Sequence, residues 1–324
     1  MGAHRQQQVV VITGASSGAG RAAALAFAKE GARLVLAARR EASLQDLAEE
    51  CVALGGEAVA QPTDVTNRAA VAALVQTAVN RFGVLDVWVN NAGVLAAGLF
   101  DETPFEVHEQ VLKTNLLGYL HGAYAIIPQF KKQGHGVLIN NISVGGWFPT
   151  PYASAYSASK FGLRGFGESL QAELAGHKNI HVCNLYPAFL DTPGMQHAAN
   201  FTGKALKPAP PVFDPQEVAK EMVKLSRHPK ATTTVGFVSP LLRLGHAVAP
   251  RLMGNSTAGM IKGYLKVAPQ IEHAPGNLFH PQEHGTSIHG GWNSPADQER
   301  RQLAFTKALL VVGAVVGIIL IKRM

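Results

Sequence analysis

Over the first 240 residues of this 324-residue chain, short apolar runs alternate with longer stretches of mixed polarity. The runs Val9–Thr13, Arg33–Ala38, Ala58–Gln61, Val84–Asn90, Gly136–Ile142, His181–Tyr186 and Thr233–Val238 are apolar throughout instead of at every second position. That pattern predicts strands covered on both faces by helices. The segments between them, Gly20–Glu30, Ala42–Leu54, Arg68–Phe82, Thr103–Lys132, Ala153–Ala175 and Pro215–Ser226, read as helices. Strand and helix in alternation imply a parallel sheet with right-handed crossovers, an α/β doubly wound architecture of about seven strands.

Two stretches break the rhythm. Residues 191–214, rich in Gly, Pro and Ala, are expected to form a mobile loop with at most short helices, placed to close over a substrate. From Pro240 to Arg301 the prolines Pro240, Pro250, Pro269, Pro275, Pro281 and Pro295 predict an irregular segment. A nearly continuous apolar run follows from Leu303 to Ile321. As a helix it would span about 28 Å, close to the hydrocarbon thickness of a bilayer. Arg300, Arg301, Lys322 and Arg323 flank it, and Lys307 lies within snorkelling reach of one end. A helix with no polar face beyond Lys307 must be enclosed by lipid or protein, and the transmembrane reading is favoured over a core helix. Gly313 and Gly317 offer a small-residue face for a homodimer.

Charge sharpens this division. The net charge is +7, and between Val223 and Ile271 there is no Asp or Glu, while Lys224, Arg227, Lys230, Arg243, Arg251, Lys262 and Lys266 are basic. A one-sided field of this kind suits a polyanionic cofactor, an anionic lipid surface or nucleic acid. The first two are the expected partners, and nucleic acid is not. Cys51 and Cys183 are too few for a disulfide framework or a cysteine zinc site and read as buried hydrophobes. The apolar stretch Val9–Ile12 is too short for a signal peptide, and Gln6 stands where a myristoylation signal at Gly2 needs Ser or Thr. His273, His280, His284 and His289 share a stretch with Pro281 and Gly285 that reads as a solvated loop, so no metal is expected.

The candidate chemistry starts at the first strand–helix turn, Thr13-Gly14-Ala15-Ser16-Ser17-Gly18-Ala19-Gly20. Glycines permit a tight turn and close approach of a pyrophosphate, and the helix start supplies amide donors. The spacing Gly-x3-Gly-x-Gly is not a Walker loop, which would need Lys-Ser/Thr after the last Gly. At the end of the second strand, Ala37-Ala38-Arg39-Arg40 has no carboxylate for a ribose hydroxyl, and Arg39 offers a fork of donors suited to a 2′-phosphate. NADP(H) is therefore favoured over NAD(H). Tyr156 and Lys160, at i and i+4, share one helix face, where a neighbouring cation favours the phenolate. Ser143 falls at the C-terminal end of the fifth strand, where open parallel sheets place their ligands.

Together these residues resemble the short-chain dehydrogenase/reductase family. The matching elements are the Thr13–Gly20 loop, Asp64-Val65, Asn90-Asn91-Ala92-Gly93, Asn115, Ser143, Tyr156 and Lys160, in family order between residues 9 and about 240. Ala19 stands where the family often has Ile, and Ala188 where Gly is usual, while Pro187 and Thr192 remain.

The resemblance implies a Rossmann-like, NADP-binding catalytic domain over residues 1–240, and the charge and hydropathy of the rest add a basic, Pro/Gly/His-rich extension over 241–302 and a transmembrane tail helix over 303–321. It implies that Tyr156 exchanges a proton with the substrate oxygen, Ser143 orients that oxygen, Lys160 lowers the Tyr156 pKa and holds the nicotinamide ribose, and Asn115 supports a proton-relay water. Gly14, Ser16, Ser17, Gly18, Gly20, Arg39, Asp64, Val65, Asn91, Ala92, Gly93, Tyr156, Lys160, Pro187 and Thr192 are the expected cofactor contacts. The expected activity interconverts a carbonyl and a secondary alcohol. Trp147, Phe148, Phe189 and Leu190 suggest an apolar or lipid-like substrate. The catalytic domain is expected to face the cytoplasm from a membrane anchor. The alternative is a catalytically idle, dinucleotide-binding membrane adaptor.

Overall fold

The computed structural model describes residues 7–293. Among these the strands are β1 (Val9–Thr13), β2 (Arg33–Ala38), β3 (Glu57–Pro62), β4 (Val87–Asn90), β5 (Ala96–Ala97), β6 (Gly136–Asn141), β7 (Ile180–Pro187), β8 (Ala199–Asn200) and β9 (Thr232–Val235). The helices are α1 (Gly18–Lys29), α2 (Glu41–Ala53), α3 (Arg68–Phe82), α4 (Phe105–Leu112), α5 (Gly118–Gln133), α6 (Ser154–Glu173), α7 (Pro215–Arg227), α8 (Val238–Val248) and α9 (Pro250–Val267). Seven strands make one parallel sheet in the order β3-β2-β1-β4-β6-β7-β9, and β5 pairs with β8 apart from it. The winding direction reverses between β1 and β4, and the crevice at the carboxyl ends of these two strands is where such sheets bind ligands.

Unbroken apolar runs form these strands because both faces are core. On β1, Val10 and Ile12 pack with Phe27 of α1, Leu44 of α2 and Met222 of α7 on one face. Val9 and Val11 pack with Leu74 of α3 and Ile126 and Phe130 of α5 on the other. Local signals agree with this packing. Asn67 accepts from the amides of Ala69 and Ala70 to start α3, which stops at Gly83 in the left-handed region at φ 79°.

Two expectations need correction, and a third gains detail. The helix expected over Thr103–Lys132 is interrupted by a π-helical turn at Lys113–Leu117. The 191–214 segment holds one short helical turn at Pro193–Met195 and meets the rest of the fold where β8 pairs with β5 and Leu190 bridges Phe213. Pro240–Arg301 is not irregular from its start, because α8 and α9 occupy most of residues 238–267. Pro240 sits in the first turn of α8 and Pro250 is the first residue of α9, where a missing N–H breaks no helical bond. Those prolines begin helices instead of preventing them. The Leu303–Ile321 run lies outside the described residues, and among the described residues no helix is long and apolar enough to cross a membrane.

Candidate active site

The glycine turn is built by close backbone packing. A Cβ on Gly14, held at φ 66°, would lie 2.6 Å from the Ala92 Cα, and one on Gly20 would lie 2.2 Å from the Gly14 carbonyl oxygen. Asn91 staples the turn from the next strand over, its side-chain amide donating to the carbonyls of Thr13 and Gly14, both at 3.1 Å. The Asn91 side-chain oxygen accepts from Asn141 at 2.8 Å. Asp64 is fixed by accepting from the amide and hydroxyl of Thr66, both at 2.8 Å.

A single cavity follows from these elements. Of the expected cofactor contacts, Gly14, Ser16, Ser17, Gly18, Arg39, Asp64, Val65, Asn91, Ala92, Gly93 and Thr192 line it. Gly20, Pro187, Tyr156 and Lys160 do not. Two buried amide oxygens on the cavity residues Asn141 and Gln282 have no partner among the described residues. Glycines where a side chain would clash, a helix start and unpartnered acceptors fit the dinucleotide expected from the glycine spacing.

The second cluster stands at the carboxyl end of β6. Ser143 has φ 105°, a conformation that costs a residue with a Cβ, and its hydroxyl accepts from the Gly145 amide at 3.2 Å. Tyr156 and Lys160 share a face of α6, with the Lys160 Nζ 5.5 Å from the Tyr156 ring centroid and 5.4 Å from that of Tyr119. Burial pushes the Tyr156 phenol up, opposed by its hydrogen bond to Ser143. Burial also lowers Lys160 to about 7. In this cluster desolvation governs both groups, where the sequence alone pointed to attraction by the cation.

Asn115, fully buried in the π-helical turn, clamps the backbone of Val94. It accepts from the Val94 amide at 2.8 Å and donates to its carbonyl at 2.9 Å. Its amide also reaches the Ser159 hydroxyl at 3.4 Å. Val94 lines the cavity and packs in one apolar cluster with Tyr156, so Asn115 ties the two halves of the site together.

The structure places other residues differently from the expectation. Trp147 and Phe148 do not line the cavity. Trp147 is core, packed with Ile142, Leu163 and Tyr186 and covered on α6 and α8 by the guanidinium groups of Arg164 at 3.9 Å and Arg243 at 4.0 Å from its centroid. The unexpected helix α8 covers both aromatics. Phe148 meets His246 of α8 edge to face. Arg39 and Arg40 donate to backbone carbonyls of residues 277–284, more than 230 positions later in the chain. His197, Asn277 and Gln282 also line the cavity, and nothing in the spacing of the sequence marks them. Of the four histidines, His289 pairs with Asp214 at 3.1 Å and His273 packs on Phe201. Among the described residues no three potential ligands gather around a metal position.

Comparison with known proteins gives a consistent result. An uncharacterized oxidoreductase of Bacillus subtilis, YxnA, is 34% identical over 252 residues, covering 76% of this chain and 70% of its own length. Among solved structures, the alcohol dehydrogenase from the archaeon Thermococcus sibiricus complexed with 5-hydroxy-NADP is similar at 27% identity and a TM-score of 0.61, over 71% of this chain and 96% of its own. A metagenomic short-chain oxidoreductase in complex with NADP is similar at 29% identity and a TM-score of 0.61, over 70% and 96%. Residues 8–202 match the short chain dehydrogenase family. With that match spanning well over half of the chain, the protein belongs to the short-chain dehydrogenase family and is an oxidoreductase of Rossmann-like fold.

Proposed function

We propose that this protein is an NADP(H)-dependent oxidoreductase that interconverts a carbonyl and a secondary alcohol on an apolar, lipid-like substrate. The observation that carries the reading is the convergence of Ser143, Tyr156 and Lys160, joined to the cavity through Val94, which lines it and packs in the Tyr156 cluster. When bound, the nicotinamide supplies or accepts the hydride. The Tyr156 phenol gives its proton to the substrate oxygen in reduction and, as phenolate, removes it in oxidation. Its neighbour Ser143 orients that oxygen, held for the task by a backbone conformation the surroundings impose. Lys160, near 7, passes between its charged and neutral forms at neutral pH, so it can return a proton toward Tyr156. Asn115 acts as a positioning residue through Val94, since its side chain is spent on that backbone.

The choice of NADP(H) rests on Arg39 and Arg40. Their hydrogen-bond partners are neutral carbonyls, and burial together with the charge of Arg39 lowers Arg40. Two neighbouring cations that, among the described residues, have no counter-charge beyond Asp64 near Arg39 gain from a phosphate dianion. The apolar substrate is supported by the cluster of Val94, Ala96, Ala155 and Phe201 packed around Tyr156.

Membrane attachment through residues 303–321 is part of the same reading, with the catalytic domain on the cytoplasmic side. The face of α8 and α9 supports it by exposing Leu244, Leu252, Met260 and Val267 among Arg251, Lys262 and Lys266.

The test is NADPH oxidation with a panel of apolar ketones and aldehydes. Tyr156→Phe should lose about 100- to 10,000-fold in turnover while still binding NADPH. Activity surviving in that variant sinks the mechanism, and tight NADPH binding without turnover on the whole panel favours the idle adaptor. For the anchor, full-length protein should resist carbonate and high-salt extraction, and release by salt alone rejects it.

A further inference from the structure

Beyond α9 the chain returns across the dinucleotide cavity. Asn277, Pro281 and Gln282 line it opposite Gly14, Arg39 and Asp64. Four attachments hold this crossing. Leu278 is fully buried in the cluster that contains Val94 and Tyr156. Arg39 donates to the carbonyls of Asn277, Leu278 and Phe279, and Arg40 to those of Gln282 and His284. The Gly18 amide, first in α1, donates to the Ser287 carbonyl at 3.0 Å. Past it, the Asp191 carboxylate accepts from the amides of Gly290 and Trp292. Within this well-bonded crossing the side-chain oxygen of Gln282 is buried and has no partner among the described residues.

We propose that residues 277–284 are a wall of the dinucleotide site, closing over its adenosine end. Gln282 supplies a side-chain acceptor for an N–H of that moiety, and Arg39 and Arg40 hold the wall while keeping their charge for phosphate. The inference rests on the dinucleotide reading above. Its physical basis is that a buried acceptor in a native site is satisfied by something, and Gln282 borders a cavity whose other walls are built for a dinucleotide. A bound dinucleotide then leaves only when the strap lifts. Lifting breaks the guanidinium–carbonyl bonds and exposes Leu278, so the strap acts mainly on the rate of release.

The experiment uses full-length protein loaded with NADPH. Release is followed by nicotinamide fluorescence after a chase with excess NADP+, and amide exchange is measured across 277–290 with and without NADPH. NADPH should slow exchange in the strap. Leu278→Ala should speed release about tenfold with a smaller change in association. Gln282→Ala, on a half-exposed residue whose loss leaves the anchoring leucine in place, should weaken NADPH about three- to tenfold without altering thermal stability. Unchanged release in both variants overturns the wall. So does faster and tighter binding in Leu278→Ala, which would make the strap an occluding segment. If wild-type protein binds neither NADPH nor NADH, the dinucleotide reading falls and the wall falls with it. If wild type binds and the variants match it, only the wall is lost.

Discussion

The glycine cradle and the strap face each other across one cavity and are held by opposite means. In the cradle, backbone meets backbone: the space a Cβ would need at Gly14 or Gly20 is taken by main-chain atoms of Ala92 and Gly14, which no change of rotamer can clear. In the strap, side-chain donors from Arg39 and Arg40 meet carbonyls, with Leu278 the one deeply buried anchor among residues 277–284. Water can replace a guanidinium–carbonyl bond but cannot relieve a backbone clash. One wall is therefore a fixed template, and the other is the part that can open at low cost.

Adding one carbon on each side puts the largest difference on display. Gly20→Ala should abolish detectable NADPH binding and lower the urea midpoint strongly, because the new Cβ would sit 2.2 Å from a carbonyl oxygen. Gly291→Ala, just past the strap at φ 76° with nothing within 4 Å of the added Cβ, unlike Gly276 and Gly290, whose Cβ would meet main-chain oxygens at 2.3 Å, should cost only left-handed strain, about 1–2 kcal/mol. Comparable losses at the two positions would erase the contrast.

The two walls also differ in how far the sequence discloses them. The cradle is legible because its physics resides in residue type, glycine at fixed spacing between an apolar run and a helix. Tyr156 and Lys160 are legible for the same reason, being one helical turn apart. The strap is not, since its bonds end on main-chain carbonyls that every residue carries, and Arg39 meets them 238 positions downstream or more. A phosphate-binding reading of Arg39 is natural from the sequence, and its role in holding the strap is visible only in three dimensions. Helices α8 and α9 were hidden by prolines that break a helix interior but suit its first turn. Asn90, Asn140 and Asn184 lie on three separate strands, and only the parallel register of β4, β6 and β7 aligns them.

On the fixed side, pH gives the next effect. Burial lowers Lys160 to about 7 from its ordinary 10.5, so the folded protein binds fewer protons than the unfolded chain between those values. The cost of burying the charge is complete below pH 7 and fades as pH rises toward 10.5, so stability climbs across that window. In the dinucleotide-free protein, Lys160→Met should remove that slope, gaining most over wild type near pH 6–7 and least near pH 10. Urea melts at several pH values measure it, and parallel slopes in the two proteins would show that Lys160 stays fully charged in the fold.

The asparagine ladder tests the same wall through hydrogen bonds. Asn90 donates to Asn140 at 3.0 Å, and Asn140 donates to Asn184 at 3.1 Å, all three being buried. Asn140→Leu leaves the Asn184 oxygen without its donor, while Asn90 keeps the Tyr119 carbonyl at 3.2 Å. One stranded acceptor should cost about 1–3 kcal/mol. The next residues, Asn91 just past β4 and Asn141 at the end of β6, hold the glycine turn. NADPH affinity should therefore fall with stability, and a variant stable as wild type would assign the ladder no part in the template.

The smallest global effect is expected on the adjustable side, at Arg40. Arg40→Ala removes two bonds from a partly exposed guanidinium to carbonyls that can turn to water, so overall stability should fall by less than about 1 kcal/mol. Amide exchange over residues 282–287 should nevertheless rise, because the strap loses its grip there while Leu278 and Arg39 still hold 277–279. Arg40→Lys separates charge from grip. Both bonds leave one nitrogen, Nη1, and an ammonium retains the positive field but ends one bond short of that position. NADPH affinity should accordingly recover in part relative to Arg40→Ala, while exchange over 282–287 stays fast. Full recovery of both in Arg40→Lys would mean that charge alone organises this wall, and the strap would then differ from the cradle in sequence position more than in the kind of force that holds it.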